Sequence, residues 1–475
     1  MALRASNKRR DGREPNQPPV IRSPALVHLE QIDTSPARPR QTAKADVESK
    51  PRITDKRGSG PLVDSRKTQE QAPGSQGNPP EQRLEPVSAP TGRTDYGLMA
   101  AVGVLLCFGL VMVYSASTEA VYGDPSYWFR RELLWVGLGL IAMFVTMNIP
   151  HPRWQRLSVA LMGCAVVLLI LVLVIGKNIN GGQRWLPLGP FTFQPSELAK
   201  LAFTLYIADW LSRKGSQVES FMYGLVPFAI LTGFVIMLVM LQNDMGTAII
   251  IAAFAVAMFI TAGANLLHLL PMMLSGVATF VFIMLNTPFR VSRLEAFTDP
   301  LNCTSSASYQ VCQGIIALGS GGFTGLGLGA SRQKAGYLPN PWTDSIFAVI
   351  GEELGFIGCA IVILLLIALT YRAFRVGRRA PRMYGALLAT GVACWIAVQA
   401  MLNIGSVVAL IPFTGVPLPF ISFGGSSLVT TLAAVGILLN ISRYNPHPSS
   451  GTHDHANTDF RRRHRGAHLP GAGRR

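Results

Sequence analysis

Ten long apolar segments between residues 96 and 443 constrain the fold of this chain more than any other feature. A helix needs roughly 20 mostly apolar residues to cross the hydrocarbon core of a bilayer. Segments of about that length recur here, separated by polar gaps, at residues 96–116, 132–149, 157–176, 196–212, 222–241, 247–262, 267–286, 345–370, 385–411 and 426–442. The pattern predicts an all-α integral membrane protein with about ten transmembrane helices.

The distribution of charge supports this prediction. Only 14% of the residues are charged, whereas a typical soluble protein has about 25%. Of the 42 Lys and Arg residues, 17 lie in residues 1–96 and 7 in residues 442–475. The net charge of +16 is therefore concentrated in the tails. Because these tails have few aromatic residues to stack on bases, the charge does not indicate a nucleic-acid partner.

The tails at residues 1–95 and 444–475 flank the predicted transmembrane domain, residues 96–443. The first tail is rich in Pro, Ser, Gln and Arg and has no sustained apolar period. Such a segment cannot bury enough surface to offset its chain entropy, so we expect both tails to be disordered. We expect no short cleavable signal peptide, because the first apolar segment is long enough to span the membrane.

Positive charges in the short loops predict the orientation in the membrane. The loop 371–385 carries five Arg and no acidic residue, and Arg153, Arg156, Arg213 and Lys214 lie in loops of the same parity. Cytoplasmic loops are enriched in Lys and Arg, so we place these loops and both tails in the cytoplasm. The outer loops are then 117–131, 177–195, 242–246, 287–344 and 412–425.

The cysteines fit this orientation. Cys107, Cys164 and two others fall within the apolar segments, where cysteine usually packs as a small apolar side chain. Cys303 and Cys312 both lie in the large outer loop 287–344. An oxidising compartment permits a disulfide there, and we expect this pair to form one rather than to remain two free thiols.

Ionisable side chains at membrane depth are costly and therefore mark candidate functional sites. Glu197 and Lys200 follow Gln194-Pro195-Ser196 at the outer start of the fourth segment, three positions apart and hence on one helix face. They form either a structural ion pair or part of a cavity that receives an anionic group. Asp244, in the turn before the sixth segment, either caps that helix or lines the same cavity.

The outer loop 287–344 combines ionisable residues with glycines. It contains Asp299-Pro300 and a glycine-rich run from Gly319 to Gly329. Glycines permit close approach of the backbone to a ligand and unusual backbone dihedrals. The run lacks the spacing of a phosphate-binding P-loop and no strand is predicted before it, so we do not predict nucleotide binding.

Two further features follow this loop. Glu352 and Glu353 are adjacent in an apolar helix and cannot share one face, so at least one carboxylate needs a partner of its own. Residues 412–425 are rich in Pro and Gly. Irregular backbone near a membrane is tolerated where protein buries it or water reaches it, so this segment indicates a cavity that opens outward.

At these residues the sequence resembles the SEDS family (shape, elongation, division and sporulation), over roughly residues 96–443. Four motifs carry the resemblance: Gln-Pro-Ser-Glu at 194–197 with Lys200, Asp-x-Gly-Thr at 244–247, Ile-Phe-Ala-Val-Ile-Gly-Glu-Glu-Leu-Gly at 346–355, and Pro-Phe-Ile-Ser-Phe-Gly-Gly-Ser-Ser-Leu at 419–428. Residues 327–339 are more similar to the division branch of the family than to its elongation branch.

The resemblance implies a peptidoglycan glycosyltransferase that polymerises lipid II at the outer face of the cytoplasmic membrane, during septal cell-wall synthesis. The 4-hydroxyl of one lipid-linked disaccharide attacks the anomeric carbon of the growing chain, and undecaprenyl diphosphate leaves with inversion. This chemistry requires a base and cations near the diphosphate. The resemblance assigns Asp299 as the catalytic base and the following residues to substrate binding: Lys200, Glu197, Asp244, Arg332, Lys334 and Ser426.

Within that set, Lys200 is expected to meet the diphosphate and Glu197 to orient it, with Arg332 and Lys334 as alternatives. A divalent cation, magnesium or manganese, is compatible with this chemistry, although no ligand cluster is dense enough to predict a metal site. The resemblance also implies a class B penicillin-binding protein, the septal transpeptidase, as a partner. We expect the N-terminal tail to contact other division proteins.

The sequence departs from the family pattern in three places. Asn243 stands where a proline is common, Asn340-Pro341-Trp342 replaces Glu-x-His, and Ser345 replaces a phenylalanine. These departures argue against an essential histidine at position 342. They also mean that the family pattern does not define the local shape of the outer loop in this chain. The candidate carboxylates are all retained.

Other functions are compatible with ten spanning helices. A transporter that flips lipid II would also use a charged cavity, but it needs access from both faces, whereas the candidate residues cluster toward the outer one. A scaffold of the division machinery would use the basic N-terminal tail, but this role does not account for Asp299 and Lys200. An elongation-branch polymerase is the third alternative.

Overall fold

The computed structural model describes residues 92, 94–117, 126–179, 182–189, 191–304 and 306–444. Both predicted tails lie outside these residues, except for the few that adjoin the first and last helices. Twelve α-helices occur in the described part of the chain: α1 Tyr96–Ser117, α2 Tyr127–Asn148, α3 His151–Ile175, α4 Pro195–Lys214, α5 Val226–Leu241, α6 Met245–Thr261, α7 Leu266–Leu285, α8 Pro288–Thr298, α9 Ser306–Gly321, α10 Ile346–Arg379, α11 Met383–Val407 and α12 Gly425–Ser442.

Each of the ten predicted segments corresponds to one of these helices. Eight of them are long and apolar enough to cross a membrane: α1, α2, α3, α5 with the π-helical turn Phe221–Leu225 before it, α7, α10, α11 and α12. The sixth segment, α6, is apolar but slightly shorter. The fourth, α4, is the least apolar and is mostly buried against α3, α6, α11 and α12. Its polar residues therefore face protein rather than lipid.

The helix ends differ from the expected loops. The second span begins at Tyr127, inside the predicted loop 117–131, and α10 continues to Arg379. Most of the arginines assigned to loop 371–385 therefore lie on a helix, with Arg382 in the short link to α11. Arginine is a good helix former, and cations in the last turn interact favourably with the helix dipole. Loop charge therefore did not predict the end of this helix.

The outer loops contain regular structure that the prediction of an all-α fold does not include. Three short strands, β1 Lys177–Ile179, β2 Gly182–Leu188 and β3 Phe191–Phe193, form a small antiparallel sheet in the order β1-β2-β3. Strand β2 pairs with β3 in the register Leu186↔Phe193. The loop 287–344 contains α8 and α9, which pack on each other.

A single residue, Gly355, divides α10. Its dihedrals, φ 64° and ψ −162°, are not helical, and this region of backbone space is essentially restricted to glycine. The break lets the loop after α9 hydrogen-bond to the helix backbone: Phe356 N–H donates to Gly322 O at 2.9 Å, and Leu326 N–H donates to Glu352 O at 3.0 Å. The first part of the glycine-rich run thus approaches the backbone of α10 closely.

The end of the bundle that carries the predicted cytoplasmic loops is held by polar contacts between helix ends. Arg372 pairs with Asp95 at 2.9 Å, and Asp209 accepts hydrogen bonds from Gln155, Ser158 and Arg213. These contacts tie α1 to α10 and α3 to α4. The sheet, α8, α9 and residues 408–424 belong to the opposite, loop-bearing end.

Candidate active site

The Gln-Pro-Ser-Glu and Asp-x-Gly-Thr motifs meet at the loop-bearing end of the bundle. Asp244 is the N-cap of α6 and accepts a hydrogen bond from Thr247 N–H at 3.2 Å. Its other carboxylate oxygen accepts from Gln194 Nε2 at 2.8 Å and from Ser196 Oγ at 3.0 Å. Asp244 therefore caps α6, as the structural alternative predicted, and also fixes the start of α4 to the start of α6.

The turn before α6 explains one departure from the family pattern. Asn243 has a φ of 59°, in the left-handed region that asparagine tolerates better than most residues. Proline has a φ near −65° and cannot adopt this conformation. The turn in this chain therefore requires a residue other than the proline that is common in the family.

Lys200 and Glu197 form a buried ion pair on α4. The Lys200 Nζ to Glu197 Oε2 distance is 2.8 Å, and both side chains are almost completely buried. Lys200 Nζ also donates to Gln399 Oε1 at 3.0 Å and lies 4.8 Å from the centre of the Trp395 ring. In this conformation the ammonium is enclosed by protein, so contact with a diphosphate requires the cluster to open.

Amide side chains of α11 connect this ion pair to the irregular segment before α12. Gln399 Nε2 donates to Pro417 O at 3.0 Å, and Asn403 Nδ2 donates to Val416 O at 2.7 Å and to Asp344 O at 2.8 Å. Sequence reasoning missed both amides, although polar residues inside an apolar span are themselves a signal. They satisfy the backbone that irregular structure leaves unpaired.

Ser426 lies in the first turn of α12 and is buried. Its carbonyl accepts a hydrogen bond from Thr430 Oγ1 at 2.9 Å. The residue adjoins Ser427, whose Oγ lies 3.5 Å from Gln399 Nε2. Ser426 is therefore near the Lys200 cluster through α11, but it does not face solvent.

The adjacent carboxylates of α10 have separate partners, as their position on different helix faces predicted. Glu352 accepts hydrogen bonds from Ser331 Oγ and from the Arg332 N–H, the latter at 2.9 Å. Glu353 pairs with Lys334 Nζ at 2.9 Å, and both side chains are buried.

Ser115 of α1 completes this second buried pair. Its Oγ lies 2.7 Å from both carboxylate oxygens of Glu353 and 3.3 Å from Lys334 Nζ. Lys334 Nζ also donates to Gly329 O at 2.8 Å. The charge of Lys334, a predicted substrate-binding residue, is thus neutralised inside the protein. Arg332 instead donates its backbone N–H to Glu352, and its side chain is exposed.

A group of four charged side chains lies between the sheet, α6, α8 and α10. Arg184 of β2 is 3.7 Å from Asp244, and Arg293 of α8 donates to Phe413 O at 2.9 Å. Burial lowers the pKa of Arg293, as does the charge of Arg184, while Asp344 and Asp244 oppose this shift. Burial raises the pKa of Asp344, against the hydrogen bond from Thr343 and the two arginine charges.

We call Arg184, Arg293, Asp344 and Asp244 the charged quartet. Only Asp244 was a candidate from the sequence, because the other three come from segments that are far apart in the chain. Two cations and two carboxylates at one place can bind an anionic group while remaining balanced in its absence.

Asp299 occupies a different environment from the other candidate carboxylates, Glu197 and Asp244. It is the C-cap of α8, it is exposed, and its side chain has no hydrogen-bond or ion-pair partner among the residues that the structure describes. The structure does not join it to Lys200, Glu197 or Lys334. A disulfide between Cys303 and Cys312, as predicted, connects the turn after Asp299 to α9. The Asp299 carboxylate is accessible to a ligand from outside the bundle.

Trp342, at the position where the family commonly has histidine, packs among aromatic rings. Its ring stacks on Trp128 of α2 with centroids 5.0 Å apart, and Phe423 meets Trp128 edge-on at 5.1 Å. Ser345, the third departure, accepts a hydrogen bond from Gln310 Nε2 at 2.9 Å. Position 342 therefore serves packing between the outer loop and α2 in this chain.

No group of three or more His, Cys, Asp or Glu side chains that could hold a metal ion occurs within the described ranges. Magnesium is often held by one or two carboxylates together with substrate phosphates. Asp299 alone could supply one such ligand. The protein groups on their own do not form a resident metal site in the part of the chain that the structure describes.

The buried pair Lys334–Glu353 predicts a stability effect. Replacing Lys334 by Met leaves Glu353 as an uncompensated buried charge, a change that costs about 3–5 kcal/mol in other proteins. We expect Lys334→Met to lower the thermal unfolding midpoint of the purified chain by several degrees, and the double variant Lys334→Met/Glu353→Gln to recover part of that loss. Arg332→Gln, which removes an exposed neighbouring charge, is the control. Equal midpoints for Lys334→Met and the control would contradict the buried pair.

Comparison with known proteins agrees with this geometry. Residues 96–447 match the "Cell cycle protein" family of FtsW, RodA and SpoVE. Stage V sporulation protein E of Bacillus subtilis is 42% identical over 346 residues, which cover 72% of this chain and 94% of that protein. A probable peptidoglycan glycosyltransferase FtsW of Thioalkalivibrio sulfidiphilus is 42% identical over 360 residues, which cover 74% of this chain and 90% of that protein.

Two solved structures share the fold. A chain of a peptidoglycan synthase complex that coordinates polymerization and crosslinking aligns with a TM-score of 0.61 and 29% identity, over 74% of this chain and 98% of that chain. The rod shape determining protein RodA of Thermus thermophilus aligns with a TM-score of 0.55 and 30% identity, over 74% of this chain and 98% of that one. Since a single family profile spans all ten segments and the four motifs, this chain belongs to the FtsW/RodA/SpoVE family, the SEDS family that its sequence resembles.

Proposed function

We propose that this chain is a peptidoglycan glycosyltransferase that polymerises lipid II at the outer face of the cytoplasmic membrane. The relatives named as probable peptidoglycan glycosyltransferases FtsW support this activity. The observation that carries it is the contrast between the Asp299 carboxylate, which is exposed and unpartnered among the described residues, and the other candidate carboxylates, Glu197 and Asp244, which are paired and buried. An available carboxylate is what a general base requires.

In the proposed reaction Asp299 takes the proton of the attacking 4-hydroxyl. The hydroxyl oxygen forms a bond to the anomeric carbon of the growing chain, and the bond from that carbon to undecaprenyl diphosphate breaks. The electron pair leaves with the diphosphate, whose developing charge needs nearby cations. Direct displacement inverts the anomeric carbon, so an alpha-linked donor gives a beta linkage.

The charged quartet suits the diphosphate better in this conformation than the Lys200 cluster does. Lys200 is fully buried against Glu197 and Gln399, whereas Arg184 retains 18% side-chain exposure. Arg293 lies on α8, the helix that ends at Asp299. We therefore assign Arg184 and Arg293 to charge stabilisation. Lys200 and Glu197 remain candidates for a state in which α4 and α11 separate.

The orientation of the chain follows from its basic end. Arg372 to Arg379 on α10 and Arg213 on α4 lie at the end opposite the sheet, α8 and α9. Because cytoplasmic loops are enriched in Lys and Arg, we propose that this basic end and both tails face the cytoplasm. Asp299 and the charged quartet then face outward, where lipid-anchored substrates can reach them laterally through the membrane.

We place the enzyme in septal synthesis with a class B penicillin-binding protein. The FtsW relatives support the division branch over the elongation branch. A transpeptidase that crosslinks the new glycan is the partner that such a polymerase needs, and the similarity to a chain of a peptidoglycan synthase complex supports this pairing. We also propose that the N-terminal tail contacts other division proteins.

Substitution of Asp299 tests the base. Asp299→Asn keeps the size and removes the proton acceptor, and loss of a general base typically costs 10²–10⁴-fold. We expect the initial rate of glycan polymerisation from labelled lipid II, in the presence of the penicillin-binding partner, to fall by at least about 100-fold. The matched control is Glu295→Gln, an exposed carboxylate one turn earlier on α8. Equal rates for Asp299→Asn and the control would show that the base is another group.

Substitution of Arg293 tests the cation. A hydrogen bond to a charged group contributes about 1.5–3 kcal/mol, so Arg293→Gln should lower the polymerisation rate by about tenfold or more. Arg293→Lys should give a rate between those of the native chain and Arg293→Gln. Lys177→Gln, an exposed cation of β1 at the same end, should leave the rate unchanged. An Arg293→Gln chain with the native rate and native unfolding midpoint would remove Arg293 from the mechanism.

A further inference from the structure

The last two turns of α10 form a basic cavity on the surface of the bundle. The cavity measures about 400 Å³, and the side chains that line it are Tyr371, Arg375, Arg378 and Arg379. Arg378 and Arg379 are exposed, and Arg375 is half-buried. None of the residues assigned above to catalysis or substrate binding contributes to this cavity.

The charge of this cavity is not balanced in the described part of the chain. No acidic side chain there forms an ion pair with Arg375, Arg378 or Arg379, and Asp95, near this end of α10, pairs with Arg372 at 2.9 Å. The C-terminus of a helix carries roughly half a negative charge, which three guanidinium groups exceed. The cavity therefore presents a net positive field to a ligand.

The cavity continues an apolar stripe on the same face of α10. Ile361, Leu364 and Ile367 are each more than half exposed, and Tyr371, 59% exposed, follows them toward the cavity. Steps of three and four residues keep all these positions on one side of a helix, and the arginines follow with the same steps. At a rise of about 1.5 Å per residue, the stripe from Ile361 to Tyr371 is roughly 15 Å long, about half the hydrocarbon thickness of a bilayer.

We propose that Arg375, Arg378 and Arg379 bind the phosphodiester headgroup of an anionic phospholipid whose acyl chain lies along the apolar stripe of α10. Guanidinium groups pair with phosphate through two parallel hydrogen bonds, and a tyrosine at the membrane interface has an apolar ring and a polar tip suited to this depth. The stripe favours a lipid over an acidic peptide or a free anion, because neither of these would need an exposed apolar surface beside the charges.

The positive-inside rule accounts for basic residues at this end of the bundle but not for their arrangement. Arg153 and Arg156, at the start of α3, are exposed at the same end and do not line the cavity. They provide a matched pair of surface charges with which the proposed site can be compared. The proposal does not depend on the reaction that the enzyme catalyses.

The test is retention of lipid by the full chain. Purified protein is reconstituted in an equimolar mixture of phosphatidylcholine and phosphatidylglycerol, and the lipids that stay bound are counted by native mass spectrometry. We expect the native chain to retain phosphatidylglycerol selectively, and the triple variant Arg375→Gln/Arg378→Gln/Arg379→Gln to retain about tenfold less. The double variant Arg153→Gln/Arg156→Gln should behave as the native chain does.

Several results would overturn the proposal. One is a native chain that shows no preference for phosphatidylglycerol, and another is a triple variant that retains as much as the native chain. A third is displacement of the lipid from the native chain by inorganic phosphate at modest concentration, which would identify the cavity as a site for a free anion. Equal unfolding midpoints of the native and triple-variant chains in phosphatidylcholine alone serve as the control for folding.

Discussion

Neutralising charges at membrane depth is the constraint on which the rest of this structure depends. Two ion pairs meet it, Lys200–Glu197 on α4 and Lys334–Glu353 between the outer loop and α10. Each pair is nearly inaccessible to solvent, and a buried charge without its partner is strongly destabilising. Lys200 of the first pair also contacts Gln399 and Trp395 of α11, which holds α4 against α11. The second pair, with Ser115, holds the loop 287–344 against α10 and α1. The two pairs supply a rigid end of the bundle on which the exposed groups can be arranged.

This arrangement separates structural charges from those available to a ligand. Inside the bundle each carboxylate of the two pairs is matched by an ammonium group, while at the loop-bearing end Asp299 remains unpartnered among the described residues. The charged quartet stands between these extremes, because its two arginines and two aspartates balance one another and Arg184 keeps 18% of its side chain exposed, while Asp244 is buried. A lipid-anchored substrate with a diphosphate would meet the quartet and Asp299 before it reached Lys200.

The sequence predicted the ten helices of the bundle, eight of them long and apolar enough to span a membrane, because hydrophobic length is a local property. It located the paired carboxylates because charges in apolar segments are conspicuous. It could not show which groups meet. Arg184, Arg293 and Asp344 come from three separate segments, and the partner of Lys334 became visible only when the loop was folded onto α10. Glycines in the run 319–329 predicted close backbone approach and unusual dihedrals, but the sequence could not show that the backbone they approach is that of α10 at Gly355.

The central claim, that the loop-bearing end polymerises lipid II, is tested most directly by the product. The full chain, purified with its penicillin-binding partner and reconstituted in vesicles with labelled lipid II, should convert the substrate into glycan strands with beta linkages. A folded complex that forms no polymer but moves lipid II from one leaflet to the other would contradict the claim and establish transport as the function.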